Sequence, residues 1–382
     1  MYFRKLALFC LLIVLRASSL NAQTQFNFSD STRVSLLTCS PGNALYSTFG
    51  HSAVRVYDPL SGMDAVFNWG IFDFDTPNFY WKFMRGKLLY QMGGQRFSTF
   101  LEEYQYLQRS VVETPILLPL EAKRKLLRTI ETNYLPENQK YKYDFFFDNC
   151  ATRIRDVVER ALPITYADTT RTIKPLRRLL DEYLVEMPWS DFGIDLVLGL
   201  PADQMGTFRY EMFLPDYLGK NLLHARYQGK TITGPNVELL PAAPLPPSTA
   251  PKPLLLISII MLLWVGAGFL KHKLLVNTLD RLFFVLIGFA GTLMLFLWLG
   301  TDHLATKYNL NVIWANPFYF IALGSLRGKR KIWLWIIGGL CAFTLVFFPF
   351  SPQLFHPAII PILLAVIVRC ALTLKVPRFQ GS

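Results

Sequence analysis

Cysteine and histidine are scarce in this chain, five of each in 382 residues, and only Cys39, Cys150, His51 and His224 fall outside its hydrophobic terminal regions. Their arrangement excludes several chemistries. There is no CxxC pair, no HExxH helix, no GxSxG elbow and no glycine-rich phosphate loop, so neither a metal centre nor a cofactor is expected. Charged residues are also few, at 17%, and acidic ones are outnumbered 27 to 39. The resulting net charge of +12 would suit a nucleic-acid binder, but its location argues against one. Between Gln23 and Lys252, 25 basic residues meet 25 acidic ones, so the entire excess sits at the two ends.

Hydrophobic runs, by contrast, are plentiful, with 52% of residues apolar. Arg4 and Lys5 precede an apolar stretch from Leu6 to Leu15 and a small-residue site near Ala22, which reads as a signal peptide over residues 1–22 and implies export. Near the other end, seven prolines between Thr233 and Pro253 form a stretch that reads as a semi-stiff linker, residues 233–253. It separates an exported domain, residues 23–232, from a membrane domain, residues 254–382.

The membrane domain is expected to hold about five helices, at Leu254–Leu270, Leu282–Leu299, Val312–Leu326, Ile332–Phe350 and Phe355–Leu372. The third is short and contains Asn316 and Pro317, which predicts a tilted, broken or re-entrant segment. Basic residues set the orientation. Lys271, Lys273 and Arg281 are read as one loop, Arg327, Lys329, Arg330 and Lys331 as another, and Lys375 and Arg378 close the chain. All three groups become cytoplasmic if the exported domain is periplasmic, which makes the protein a multi-pass component of a bacterial inner membrane.

Within residues 23–232, strands are expected at Val34–Leu37, His51–Tyr57, Ala65–Phe72, Lys87–Gln91 and Val111–Leu118, and helices at Leu120–Asn133 and Ala151–Leu162. Asp148-Asn149-Cys150 thus places a thiol at a helix start, where the helix dipole favours the nucleophilic thiolate. Such a nucleophile needs a base. His51 opens a strand and can stand rigidly at a sheet end, whereas His224 reads as a surface residue. Asn68, on the next strand, is the candidate to orient the imidazole, with Asp73 as runner-up. The bland alternatives are a cysteine that merely packs its helix and a Cys39–Cys150 disulfide, natural in an oxidising compartment. The aromatic clusters Phe79–Phe83 and Phe145–Phe147 fit either core or a lipid groove. At the outer mouth of the membrane helices, His303, Asn309, Asn311, Trp314 and Asn316 form a candidate substrate-binding group.

The stretches Leu36-Leu37-Thr38-Cys39-Ser40-Pro41-Gly42, Phe49-Gly50-His51-Ser52-Ala53-Val54-Arg55-Val56 and Asp148-Asn149-Cys150 resemble the periplasmic domain of the Bacteroidetes lipoprotein N-acyltransferases, the Lnb type. The region containing Asn309, Asn311, Trp314, Asn316 and Pro317 resembles their membrane domain. Histidine before cysteine is also similar to circularly permuted papain-like enzymes such as lecithin:retinol acyltransferase. The resemblance implies a permuted papain-like α+β periplasmic domain followed by an all-α transmembrane bundle, with Cys150 as nucleophile and His51 as base. Together the parts point to acyl transfer through a thioester, with a membrane phospholipid as acyl donor and a lipoprotein N-terminus as acceptor, the lipoprotein's own diacylglycerol staying open as the donor. Two other functions use the same exported, anchored layout: a cysteine peptidase or amidase acting on peptidoglycan, and a non-catalytic scaffold cross-linked through Cys39 and Cys150.

Overall fold

In a computed structural model of the chain, residues 26, 28–166, 174–244, 246–326 and 331–375 are described. The signal-peptide expectation for residues 1–22 and the basic residues Arg327, Lys329, Arg330 and Arg378 lie outside them.

Alternation of apolar side chains builds the first domain. Strands β1 (Arg33–Cys39), β2 (His51–Asp58), β3 (Met63–Ile71), β4 (Leu89–Arg96), β5 (Val111–Ile116) and β6 (Lys140–Lys142) form an antiparallel sheet with an edge strand, Val237–Leu240. The spatial order is Val237–Leu240, β5, β1, β2, β3, β4, β6. Val34, Leu36, Val54, Val56, Phe67 and Trp69 turn to one face, where they pack with the helices Leu120–Tyr134 and Cys150–Ala161. Leu37, Cys39, Ala53 and Val66 turn to the other, against Phe100 and Tyr104 of the helix Phe97–Tyr106. The Cys150–Ala161 helix buries Ile154, Val157 and Val158, each contributing about 1.5–3 kcal/mol of apolar burial. That anchorage holds its first residue against the end of the sheet.

Two expectations change here. Strand β4 continues through Gly93 and Gly94 to Arg96, because the missing side chain lets Ile71 Cδ1 lie 2.5 Å from where a Gly93 Cβ would stand. The supposed linker also begins later than residue 233. Gly234 donates to Pro115 O, and Val237–Leu240 pairs with β5, so the domain extends to Leu240. An edge strand has ladder partners on one side only, which lets Pro235 and Pro241 flank it.

The C-terminal region is helical, with Pro253–Ala267, Lys273–Leu299, Phe318–Ser325, Ile332–Phe347 and Ile359–Lys375. Lys273–Leu299 has 27 residues and Ile332–Phe350 has 19, and both are long and apolar enough to cross a membrane. The third expected segment is broken, as its Asn316 and Pro317 suggested. A 3-10 turn, Leu310–Ile313, precedes the helix Phe318–Ser325, whose first turn is capped by Asn316 Oδ1 accepting from Phe318 N at 3.1 Å. Arg281, expected in a loop, lies inside the 27-residue helix beside Asp280. A carboxylate is tolerated there because Asp280 is buried against Arg369, at 2.7 and 2.8 Å, and accepts from Trp264 Nε1 at 2.9 Å. Three helices are thereby tied at one point.

The two domains meet through backbone groups. Gly199 N donates to Ala305 O at 2.9 Å, and Asp302 N donates to Arg85 O at 2.8 Å. Asn309 Nδ2 reaches Leu196 O at 2.7 Å, while Asn311 Nδ2 reaches the carbonyls of Asp195 and Leu196 at 3.3 and 3.2 Å. Glycine is required at 199, since a Cβ there would fall 1.8 Å from Lys307 O.

Candidate active site

Asp144 and Asp148 exchange two backbone hydrogen bonds of 3.0 Å and close a tight loop ahead of Cys150. Asp144 Oδ1 accepts from the backbone N–H groups of Phe146 and Phe147 within it. Asn149 then caps the helix. Its Oδ1 accepts from Thr152 N at 2.9 Å, while Thr152 Oγ1 accepts from Asn149 N at 2.7 Å. The remaining Asn149 donors go to Phe145 O and Phe213 O, both at 2.8 Å. Cys150 is thus the first residue of a fully capped helix, at its positive end.

His51 is set by the strand before it. Gly50 adopts φ +78°, and a Cβ there would stand 2.8 Å from Cys39 O, so only glycine lets β2 begin at His51. Register pairs Ala53 with Asn68, which makes His51 and Asn68 diagonal neighbours on one face. His51 Nε2 donates to Asn68 Oδ1 at 3.0 Å, and the same imidazole is the side-chain partner of the Cys150 sulfur. An edge-on contact of 4.9 Å between Phe49 and Phe145 braces the segment before His51 against the loop before Cys150.

Opposing effects act on the pair. Burial alone would push the Cys150 thiol up, but the His51 imidazole and the N–H groups of Ser52 and Ala151 hold it below the usual thiol range. Burial alone would lower His51, but the adjacent sulfur and the Asn68 oxygen raise it above the usual imidazole value. The two shifts together favour a thiolate–imidazolium pair. Cys39 is the contrast: burial pushes its thiol up to about 12. Both cysteines are free, which goes against the alternative of a Cys39–Cys150 disulfide.

The other sequence candidates fall elsewhere. Asp73 is exposed and caps its own turn, with Oδ1 accepting from Asp75 N. His224 lies exposed in a turn. The membrane-side group of polar residues is occupied by packing. His303 Nε2 contacts Met84 O at 3.2 Å, Asn309 and Asn311 hold the domain joint, Trp314 Nε1 donates to Asn311 Oδ1 at 2.9 Å, and Asn316 caps its helix. Asn309, Asn311 and Trp314 are almost wholly buried. These donors meet protein carbonyls and amides, and the geometry favours a docking role over substrate contact.

Two residues near the sulfur carry no earlier expectation. Tyr143 and Tyr141 precede the Asp144–Asp148 loop and both feel the charge of Cys150. Among the described residues the buried Tyr141 hydroxyl has no hydrogen-bond partner, while its ring lies 3.9 Å from the Arg153 guanidinium. The alternation of lysine and tyrosine from Lys140 to Tyr143 was the available strand signal.

Fold and site together describe a membrane-held α+β protein with a thiol and an imidazole paired at the end of its sheet. Comparison with known families gives the particular one: the Lnb N-terminal periplasmic domain matches residues 19–182, and the Lnb transmembrane domain matches residues 247–377. The chain belongs to the Lnb family, whose members are lipoprotein N-acyltransferases resident in the membrane. No curated protein and no solved structure matches it.

Proposed function

We propose that this protein transfers a fatty acyl chain through a Cys150 thioester, from a membrane phospholipid to the α-amine of a diacylglyceryl-cysteine at a lipoprotein N-terminus. The observation that carries this reading is the placement of Cys150 at a capped helix start, beside an imidazole whose far nitrogen is held by Asn68. The order of these residues, with the histidine strand before the cysteine helix, supports a circularly permuted papain-like domain.

The Cys150 thiolate attacks the ester carbonyl of the donor, and the tetrahedral oxyanion meets backbone N–H groups of the helix start. Collapse breaks the C–O bond, and His51 gives its proton to the departing lyso-lipid oxygen. Neutral His51 then takes the proton from the attacking amine, the C–N bond forms, and Cys150 leaves as thiolate. Asn68 keeps the proton-bearing Nε2 turned away, so that Nδ1 faces the sulfur in both half-reactions. Anchorage confines enzyme and both insoluble substrates to one surface, and proximity replaces encounter in water.

Mass spectrometry of lipoprotein N-termini tests the proposal, in cells whose only candidate acyltransferase is this protein or its Cys150→Ala form. The amide-linked chain is expected to disappear in the mutant at unchanged protein level. Unaltered acylation would refute a role for Cys150 in lipoprotein transfer and would turn attention to peptidoglycan.

A further inference from the structure

Between β3 and β4 the chain leaves the sheet and forms a short helix, Phe79–Met84, that buries none of its residues. Phe74, Tyr80, Trp81 and Phe83 are 67, 79, 53 and 52% exposed. Aromatic exposure of that extent in one segment marks an interaction surface. Its position says what covers it. Arg85 Nε donates to Gly300 O at 3.2 Å, and the Trp81 ring lies 6.4 Å from that of Phe296, near the end of the 27-residue apolar helix. The segment therefore sits at the level where that spanning helix ends. Lys82, Arg85 and Lys87 add positive charge, and aromatic rings with basic side chains are the composition that settles at a lipid headgroup boundary.

From this surface a ladder of rings runs inward. Phe79 meets Phe72 at 5.7 Å, Phe72 meets Tyr90 at 5.4 Å, and Tyr90 stacks on Tyr143 at 4.6 Å. Tyr90, Tyr143 and Cys150 all pack against the same core cluster, on the face of the sheet that carries the Cys150–Ala161 helix. We infer that the Phe74–Phe83 segment is immersed in the lipid interface and that the ring ladder guides the donor's acyl chain from the bilayer to Cys150. The guiding role rests on the acyl-transfer reading; the immersion does not.

Two measurements separate them. The first uses full-length protein in phosphatidylethanolamine–phosphatidylglycerol nanodiscs, in a Cys150→Ser background, with a fluorophore attached at Tyr80→Cys or at Leu60→Cys in the distal β2–β3 turn. Nitroxide-bearing lipid should quench the label at 80 and spare the label at 60. Equal quenching at the two positions would overturn the immersion, whatever Cys150 does. The second compares rates of Cys150 acylation by nanodisc phospholipid and by water-soluble p-nitrophenyl acetate. In Phe72→Ala/Phe79→Ala, which cuts the ladder and leaves the exposed rings Phe74, Tyr80 and Phe83 in place, the lipid-to-ester ratio should fall about tenfold or more, since part of the apolar contact with the chain is lost. An unchanged ratio would overturn the guiding role. Quenching at 80 in a protein that never takes acyl chains from phospholipid would leave the membrane surface standing and would reject the acyl-transfer reading.

Discussion

Asn68 offers the sharpest perturbation, because it touches the imidazole and not the sulfur. Asn68→Ala removes the acceptor, 3.0 Å away, that stabilises the Nε2–H of a charged His51. A hydrogen bond to a charged group contributes about 1.5–3 kcal/mol, which corresponds to roughly 10- to 150-fold in kcat/KM for N-acylation. The sign on pH follows from the same contact. His51 is held above its usual value and Cys150 below its usual one, and both shifts act in the direction that widens the pH range over which a thiolate–imidazolium pair is favoured. Without Asn68 the imidazolium is less favoured, and the alkaline limit moves down. A weaker imidazolium also stabilises thiolate less, so the acid limit moves up, and the window narrows from both sides. Asn68→Asp places a negative charge at the same distance and should move the alkaline limit up. The assay is the pH dependence of Cys150 alkylation by iodoacetamide in nanodiscs, feasible because Cys39, Cys341 and Cys370 are buried. Identical profiles for wild type and Asn68→Ala would refute the argument, as would a shift of the same sign in Ala and Asp variants.

Gly50→Ala should lose about 1–2 kcal/mol of thermal stability from its left-handed backbone, as should Gly62→Ala, but only the Gly50 change meets Cys39 O and should slow Cys150 alkylation. Equal alkylation rates in the two variants would show that β2 entry is not set by that contact. Gly199→Ala forces a Cβ onto Lys307 O and should open the domain joint, read as faster proteolysis between the domains, while Gly193→Ala, with nothing within 4 Å, should not. Tyr141→Phe removes a buried hydroxyl that has no partner among the described residues, so thermal stability should hold or rise. A simultaneous fall of about tenfold in kcat would identify that hydroxyl as an oxyanion donor; unchanged turnover would make it structural.

The division between chain and fold is visible in particular residues. Sequence by itself determined the elements whose cause is local. Strand alternation placed β1, β2, β3 and β5, the 3.6-residue period placed Leu120–Tyr134 and Cys150–Ala161, and apolar runs placed the helical C-terminal region with its two long apolar helices. Cys150 at a helix start was also legible, because the capping asparagine is its neighbour in the chain. Where the cause is distant the sequence fell silent or misled. Val237–Leu240 reads as linker and becomes a strand only because β5 offers an open edge. Lys273 and Arg281 read as loop among other basic residues, yet both lie in the 27-residue helix, where the neighbouring Asp280 is held by Arg369, 89 positions away. Asn309 and Asn311 read as a substrate-facing group, yet their amides find carbonyls of the other domain. Cys39 and Cys150 look equivalent in a list of thiols, and only tertiary packing buries one among apolar groups and sets the other beside His51. Periodicity, capping and hydropathy act over a few residues and are written in the chain. Desolvation, charge pairing and edge pairing depend on what a residue meets in space, and those the folded structure alone decides.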